Sequence, residues 1–417
     1  MSSSLNPSLS LRSRSEFIII TSIVLLAVLV LQIINKRFWM HDFEVYYQAA
    51  RAFAGGRQVY GQAFGLESGF YKYSPFALFL FLPLSLLPFG FAKVLFFLLI
   101  SCATITSVLF CSKLLNVGRG NPLTFSNGIL YLLLGIISSQ VFRELHLGNI
   151  NMLLLLLLLI ILELILSGKQ SAAGLLFSIV LFIKPHFIIL LPLFFLRKYY
   201  TCLWVMLAGL VIGVLLTVMV SGVDGAIMLH KQWLLTMQIH NQSLLLAQDT
   251  IYSWLYRIMF HFIAPEASVF AKALPLLIII AAAAIFGWFV VSNIRTERKL
   301  PQPDLQKHSF VTEFMLLTAL VPNLVLTDSE HFLLSAPVIL LLLGIIRQKR
   351  VSPWFSGLTV LAILLYGMNI HDLVGAAFSG WLTQNGILGF GNLMLISLTI
   401  FWFRKHEITV NKKAAII

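Results

Sequence analysis

Asp42 stands a few residues after the first long apolar run, in "HDFEVYYQAARAFAGGRQVYG", at the mouth of a long stretch that is not membrane-like. A carboxylate at this position has two readings. As a general base it takes the proton of an attacking hydroxyl. As a helix N-cap it accepts from free backbone N–H groups where a helix begins. The residues alone leave both open. Glu44, two positions on, is turned to another face by a helix and reads as surface.

Four further polar groups interrupt apolar sequence. "YKYSP" (Tyr71 to Pro75) closes the stretch that Asp42 opens; Lys72 and Tyr73 read as interfacial anchors or as contacts to a lipid phosphate. "FRELHLGNINMLL" (Phe142 to Leu154) gathers Arg143, Glu144, His146, Asn149 and Asn151 between two apolar runs. "LFIKPHFIILLP" puts Lys184 inside an apolar run. An intramembrane lysine is costly unless paired, so it signals function or a buried partner. Glu163 is the only carboxylate in the preceding run; a Lys184–Glu163 pair and a phosphate contact stand as equals. Pro185 breaks the helix there, as at irregular, cavity-lining positions. "TDSEHFLLSAP" holds Asp328, Glu330 and His331. Their spacing fits no metal-ligand motif, which leaves a hydrogen bond from His331 to a phosphate, or a simple turn. "HNQS" (His240 to Ser243) reads as a polar loop.

The elements that carry these residues are membrane helices. The chain has 417 residues, 59% hydrophobic and only 11% charged, far from the composition of a soluble domain. Its apolar runs are long and continuous, so the fold class is all-α, polytopic, and not a barrel of alternating strands. The net charge of +13 sits at the ends of apolar runs, which is the mark of cytoplasmic anchoring and excludes nucleic acid as the partner. The three cysteines, Cys102, Cys111 and Cys202, lie in or beside apolar segments and read as packing residues. The polar, basic start leads into an apolar run without a small-residue cleavage site, so that run is expected to be retained as a span. No P-loop, dinucleotide fingerprint, H-E-x-x-H or G-x-S-x-G is present. That argues against an ATP-driven pump and against a nucleotide-sugar donor; no cofactor and no metal are expected.

The runs predict about twelve spans, at 16–36, 75–88, 91–112, 125–142, 150–167, 172–196, 202–220, 267–292, 309–326, 331–346, 353–370 and 387–404. With that count the basic clusters (Arg12 and Arg14; Arg197 and Lys198; Arg295, Arg298 and Lys299; Arg347, Lys349 and Arg350; Arg404 and Lys405) share the cytoplasmic side, and both termini are cytoplasmic. Two long loops, 37–74 and 221–266, then face outward. Their aromatic residues (Phe43, Tyr46, Tyr47 and Phe53; Trp233 and Trp254, with Met228 and Met237) predict helices lying in the interface plane. Gly55-Gly56 ends the first of these helices. The segment "RTERKLPQPDLQKH" reads as a charged linker. On this topology the Phe142–Leu154 knot falls on the cytoplasmic side, away from Asp42, unless a preceding span is re-entrant. The chain reads as one integral membrane domain, 1–417, with a core module at 16–220 and more variable spans at 221–417.

The ordered set "HDFEVYYQAARAFAGGRQVYG…YKYSPFALFLFLPLSLLP…LGNINMLLLLL…LFIKPHFIILLPLFFLRKYY" resembles glycosyltransferase family 87, of the GT-C fold. The pattern is an acidic residue before a Tyr-containing helix, then Y-x-x-P, G-Q-x-N, and a K-P span ending in basic residues. Asn149 stands where Gln is usual, and the pattern around the later His is reduced to "PNLVLTDSEHF". The resemblance implies a sugar, mannose most often, taken from a polyprenyl-phosphate donor. The acceptor would be a glycolipid or glycan on the outer face of a bacterial cytoplasmic membrane. It implies Asp42 as catalytic base and inversion at the sugar. Lys184, His331, Arg143 and Lys72, in that order, are expected to hold the donor phosphate, with Tyr73, Asn149 and Asn151 as substrate contacts. The competing reading is a transporter or flippase of lipid-linked glycans. Such proteins carry repeated halves with matched broken helices, and no such repeat is visible here. A third reading is an assembly subunit without catalysis.

Overall fold

The structure is a computed structural model that describes residues 11–65, 69–244, 250–262, 268–299, 302–325, 327–348 and 351–407. Among them it is helical, with one isolated antiparallel bridge between Ala63 and Phe70 and no strand. The helices are α1 (Leu11–Ile34), α2 (His41–Ala54), α3 (Ala77–Ser85), α4 (Phe89–Leu114), α5 (Asn127–Ile136), α6 (Ser138–Leu147), α7 (Asn151–Leu166) and α8 (Gln170–Ile183). A 3-10 turn at Pro185–Leu190 leads to α9 (Leu191–Leu196), α10 (Tyr200–Leu244), α11 (Ile251–Phe262), α12 (Ser268–Lys299) and α13 (Pro303–Leu324). A second 3-10 turn, Ser329–Ser335, leads to α14 (Ala336–Arg347), α15 (Pro353–Gly367), α16 (His371–Val374), α17 (Ala376–Gln384) and α18 (Ile387–Trp402).

Five helices among the described residues are long and apolar enough to cross a membrane: Leu11–Ile34, Phe89–Leu114, Tyr200–Gln238, Ser329–Arg347 and Ile387–Lys405. The pair α5 and α6, bent by 65°, makes a sixth if it is one broken span. The run expected to cross at 75–88 is instead α3, nine residues with Pro83 inside. At 1.5 Å per residue that is about 13 Å, less than half the ~30 Å hydrocarbon core. The second expected loop, 221–266, carries helices as expected: α10 is two helices joined at non-helical Gly222, the second of them reaching Leu244, and α11 follows.

α13 is the central element; every residue from His308 to Leu324 is buried. Around it pack α7, α9, α12, α14 and α18, with Phe177, Phe194, Phe310 and Phe314 filling the interior. α8 lies along α10, and side chains added at Gly174, Gly209 and Gly213 would meet the facing helix. Small residues let two backbones approach in this way where no hydrophobic drive separates helix from lipid.

The aromatic residues of α2, read as the face of an interfacial helix, face protein instead. Phe43, Tyr46 and Tyr47 are buried, and Phe43 stacks on Phe96 and Phe89 of α4. α2 is therefore held inside the fold by its aromatic face. It ends at Gly55 and Gly56, as the sequence suggests, with Gly56 at φ 66°. The "charged linker" is corrected too, because α12 and α13 occupy nearly all of it. Arg197 lies buried between Glu297 of α12 and Glu313 of α13. It donates to both carboxylates at 2.5–3.0 Å, and Asn293 Nδ2 donates to Glu313 Oε1 at 2.8 Å. The "HNQS" side chains lie outside the described residues.

Candidate active site

The site is assembled where α2 starts and α6 ends. The N-cap of α2 is Met40, with no side-chain cap hydrogen bond, so Asp42 is not the cap. It sits half-buried in the first turn, where the helix dipole favours a negative charge. Its Oδ2 accepts from Asn149 Nδ2 at 2.8 Å. Asn149 in turn is fixed by its own loop, its Oδ1 accepting from Ile150 N at 2.8 Å.

This contact overturns the expected separation of the Phe142–Leu154 knot from Asp42. The reason is the 65° bend between α5 and α6. No proline causes it; Gly135, Ser138 and Ser139 surround the break at Ile137, and Ser138 Oγ donates to Gly135 O at 2.8 Å. Gly and Ser are common kink residues because they free or capture ladder carbonyls. After the bend α6 turns back, Met40 N donates to His146 O at 3.1 Å, and α6 stops at Gly148 with φ 71°. A Cβ there would lie 2.7 Å from Met40 Cε and 2.8 Å from Phe43 Cβ. Gly148 thus both adopts the left-handed conformation and lets α2 come close enough for Asn149 to reach Asp42.

From Asn149 a buried polar chain continues. Glu144, fully buried, accepts from Asn151 Nδ2 and from Met152 N, both at 2.8 Å. Asn151 Oδ1 accepts from Lys184 Nζ at 2.5 Å, and Lys184 also meets His331 Nε2 at 2.5 Å. With an ammonium donating to Nε2, the ring proton belongs on Nδ1. The expected Lys184–Glu163 pair does not form. Glu163 binds Lys113 at 2.6 Å instead, and Lys184 is satisfied by an amide and an imidazole supplied from α7 and the Ser329–Ser335 turn. Arg143 donates from Nε to buried Glu330 Oε1 at 2.8 Å, and its Nη2 lies 4.0 Å from Asp328.

Lys72 and Tyr73 form the other wall. Tyr73 OH and Tyr46 OH are 2.8 Å apart, and Tyr60 OH donates to Tyr73 O at 2.8 Å. Trp233 of α10 donates to Lys72 O at 3.0 Å, which ties the second expected loop to the first. Lys72 is half-buried, and its ammonium has no hydrogen-bond or ion-pair partner among the described residues. Burial pushes it down from the ordinary lysine value, while Asp328 and Asp42 pull it back up.

Burial also pushes the Asp42 carboxyl up, to about 7, with Glu330 and Asp328 adding to the rise and Lys72 and Lys184 opposing it. A carboxylate poised there is charged in a useful fraction at neutral pH and still holds a proton firmly once it has taken one. All eight residues singled out from the sequence therefore belong to one polar region. Sequence reasoning gave no role to Glu144, which orders Asn151 and the start of α7. Its position seven residues before Asn151 was visible; its burial was not.

The comparisons bear on this assembly. The family model for glycosyltransferase family 87 matches residues 70–321. That range contains Lys72, Tyr73, Arg143, Asn149, Asn151 and Lys184, while Asp42 and His331 flank it. Neither the curated proteins nor the solved structures contain a match to the chain. The match covers more than half of the chain, and the helices are those of a membrane protein: the chain belongs to glycosyltransferase family 87 and is a membrane glycosyltransferase.

Proposed function

We propose that the chain moves a sugar, mannose by the resemblance, from a polyprenyl-phosphate donor to a hydroxyl of a glycolipid or glycan. The reaction takes place on the outer face of a bacterial cytoplasmic membrane, with both termini inside. The shorter apolar helices, Asn151–Leu166, Gln170–Ile183, Pro185–Leu196 and Pro353–Gly367, are assigned to the same intramembrane body.

The observation that carries this reading is one fixed carboxylate together with one ammonium that has no partner among the described residues. Asp42 is aimed by Asn149 and is drawn down by Lys72. In the step, the acceptor oxygen attacks the anomeric carbon from the face opposite the phosphate. The carbon–oxygen bond to the lipid phosphate breaks, the hydroxyl proton passes to Asp42, and the configuration inverts. The phosphate leaves as an anion and needs no general acid. Charge that grows on it is best met by a preorganised cation. Lys72 fills that role ahead of Lys184, which already holds Asn151 and His331 with two of its three N–H donors, and ahead of Arg143, which is paired with Glu330. Lys184 and His331 hold the Asn151–Glu144 wall in place behind it.

The test is transfer in membranes from a panel of labelled polyprenyl-phosphate sugars. Release of polyprenyl phosphate from one donor, dependent on an added acceptor, is the expected result. Turnover from a nucleotide sugar with none from the lipid donors would overturn the reading.

A further inference from the structure

Trp39 is the feature of the site's rim that the reaction above leaves unused. It is 47% exposed, beyond the end of the α1 span at Ile34, yet its indole is held from three directions. Nε1 donates to Lys36 O at 3.1 Å. On one side lies the His41 ring, with centroids 5.4 Å apart, and on another the His146 ring at 5.2 Å. The turn that presents it is strained: among the described residues only three other than glycine have positive φ, and Lys36 and Met40, which bracket Trp39, are two of them. Such backbone strain persists where the surroundings over-determine a conformation, and it clusters at functional sites.

Both flanking histidines sit in the segments that carry the site. His41 directly precedes Asp42, and His146 O accepts from Met40 N three residues before Asn149. A tryptophan that only anchors the chain at the interface needs neither a fixed indole plane nor two rings beside it. An exposed, immobilised indole is an apolar plate with a negative face. It matches the C–H face of a pyranose, and the neighbouring imidazoles carry nitrogens able to bond to ring hydroxyls.

We infer that Trp39, with His41 and His146, is the acceptor subsite that stacks the sugar next to the one being glycosylated, and so selects for an acceptor of at least two sugar units. This rests on the glycosyl-acceptor reading above. It goes further by assigning acceptor length to one ring.

Two measurements on the full-length purified protein test it. In saturation-transfer NMR with methyl glycosides of mono- and disaccharides of mannose, glucose and galactose, wild type is expected to saturate the C–H protons of a disaccharide more strongly than those of its monosaccharide. Trp39→Leu, which keeps apolar bulk but no π face, is expected to lose that signal at least five-fold, and Trp39→Tyr to retain it. In transfer assays Trp39→Leu is expected to raise the acceptor KM about ten-fold while the donor KM stays within two-fold. No disaccharide preference in wild type, or equal saturation in wild type and Trp39→Leu, overturns the assignment. So does a loss confined to membrane insertion and yield, which is the mark of a lipid anchor. Failure of every polyprenyl-phosphate donor together with an indole-dependent disaccharide signal would sink the donor reading and leave this one standing.

Discussion

At the scale of single residues, the site is a carboxylate whose charge is set first by burial and then by its charged neighbours. Because Asp42 is pushed up to about 7, the base form is scarce below that pH and dominant above it. Initial transfer rates are expected to rise through about pH 7 and then level. The midpoint should move with its causes. Lys72→Met removes a cation that holds Asp42 down, so the rise should shift to higher pH and the donor KM should increase. Asp328→Asn removes a charge that pushes it up, so the rise should shift to lower pH. Rate–pH profiles of the two variants check both signs; shifts in the same direction would contradict the assignment. The stability sign is opposite to that of activity. A carboxyl that binds its proton more tightly when folded contributes most below its unfolded value, near 3.8, and that contribution is lost as pH rises through about 7.

These residues were visible in the sequence as types, because charged and amide side chains stand out in apolar runs. Their partners were not. Lys184 could be seen to need one, but the nearest carboxylate in sequence, Glu163, faces Lys113. The real partners, Asn151 and His331, come from 33 and 147 residues away.

At the scale of elements, the decisive feature is the return of α6 onto α2. The apolar run around residues 125–142 has the composition of a straight span, and hydropathy carries no information about direction. The bend at Ile137, made without proline, was therefore hidden. Gly148 is where the return closes. Gly148→Ala puts a Cβ in a left-handed position and against Met40 and Phe43. The expected cost is about 1–2 kcal/mol for the backbone, plus the clash. Thermal unfolding in detergent should fall accordingly, and transfer should fall by more than stability alone explains, because Asn149 loses its reach to Asp42. A variant with unchanged activity would show that the close approach is not needed. The clasp between α12, α13 and Arg197 is also an element-scale device. Arg197→Met leaves Glu297 and Glu313 buried without their cation, and removal of one member of a buried pair costs about 3–5 kcal/mol. Loss of folded protein is expected. Arg197→Met combined with Glu297→Gln and Glu313→Gln should recover part of it. The clasp was not legible beforehand, since its partners lie 100 and 116 residues from Arg197.

At the scale of the whole molecule, composition alone identified an all-helical membrane protein, and the ordered motifs pointed to the family that the comparisons then showed. What composition could not separate was a crossing helix from a short one: α3 and the bent pair α5 and α6 have the hydropathy of spans without the length or the straightness. The topology follows from the site. Asn149 touches Asp42, so both must open to the same side. Single cysteines at two exposed positions, Gly61 and Phe142 of α6, are expected to react with an impermeant maleimide from the same face of intact cells. Reaction from opposite faces would contradict the return of α6.

The central claim is that Asp42 is the base of the transfer. The most direct measurement compares wild type with Asp42→Asn in the same membranes, at equal protein level, following release of polyprenyl phosphate and glycosylation of the acceptor. A positioned general base is worth roughly 10²–10⁴ in rate, so Asp42→Asn is expected to lose at least a hundred-fold in kcat while the protein stays folded and still binds donor. Equal transfer by the two proteins would show that Asp42 serves only the start of α2 and that the proton goes elsewhere.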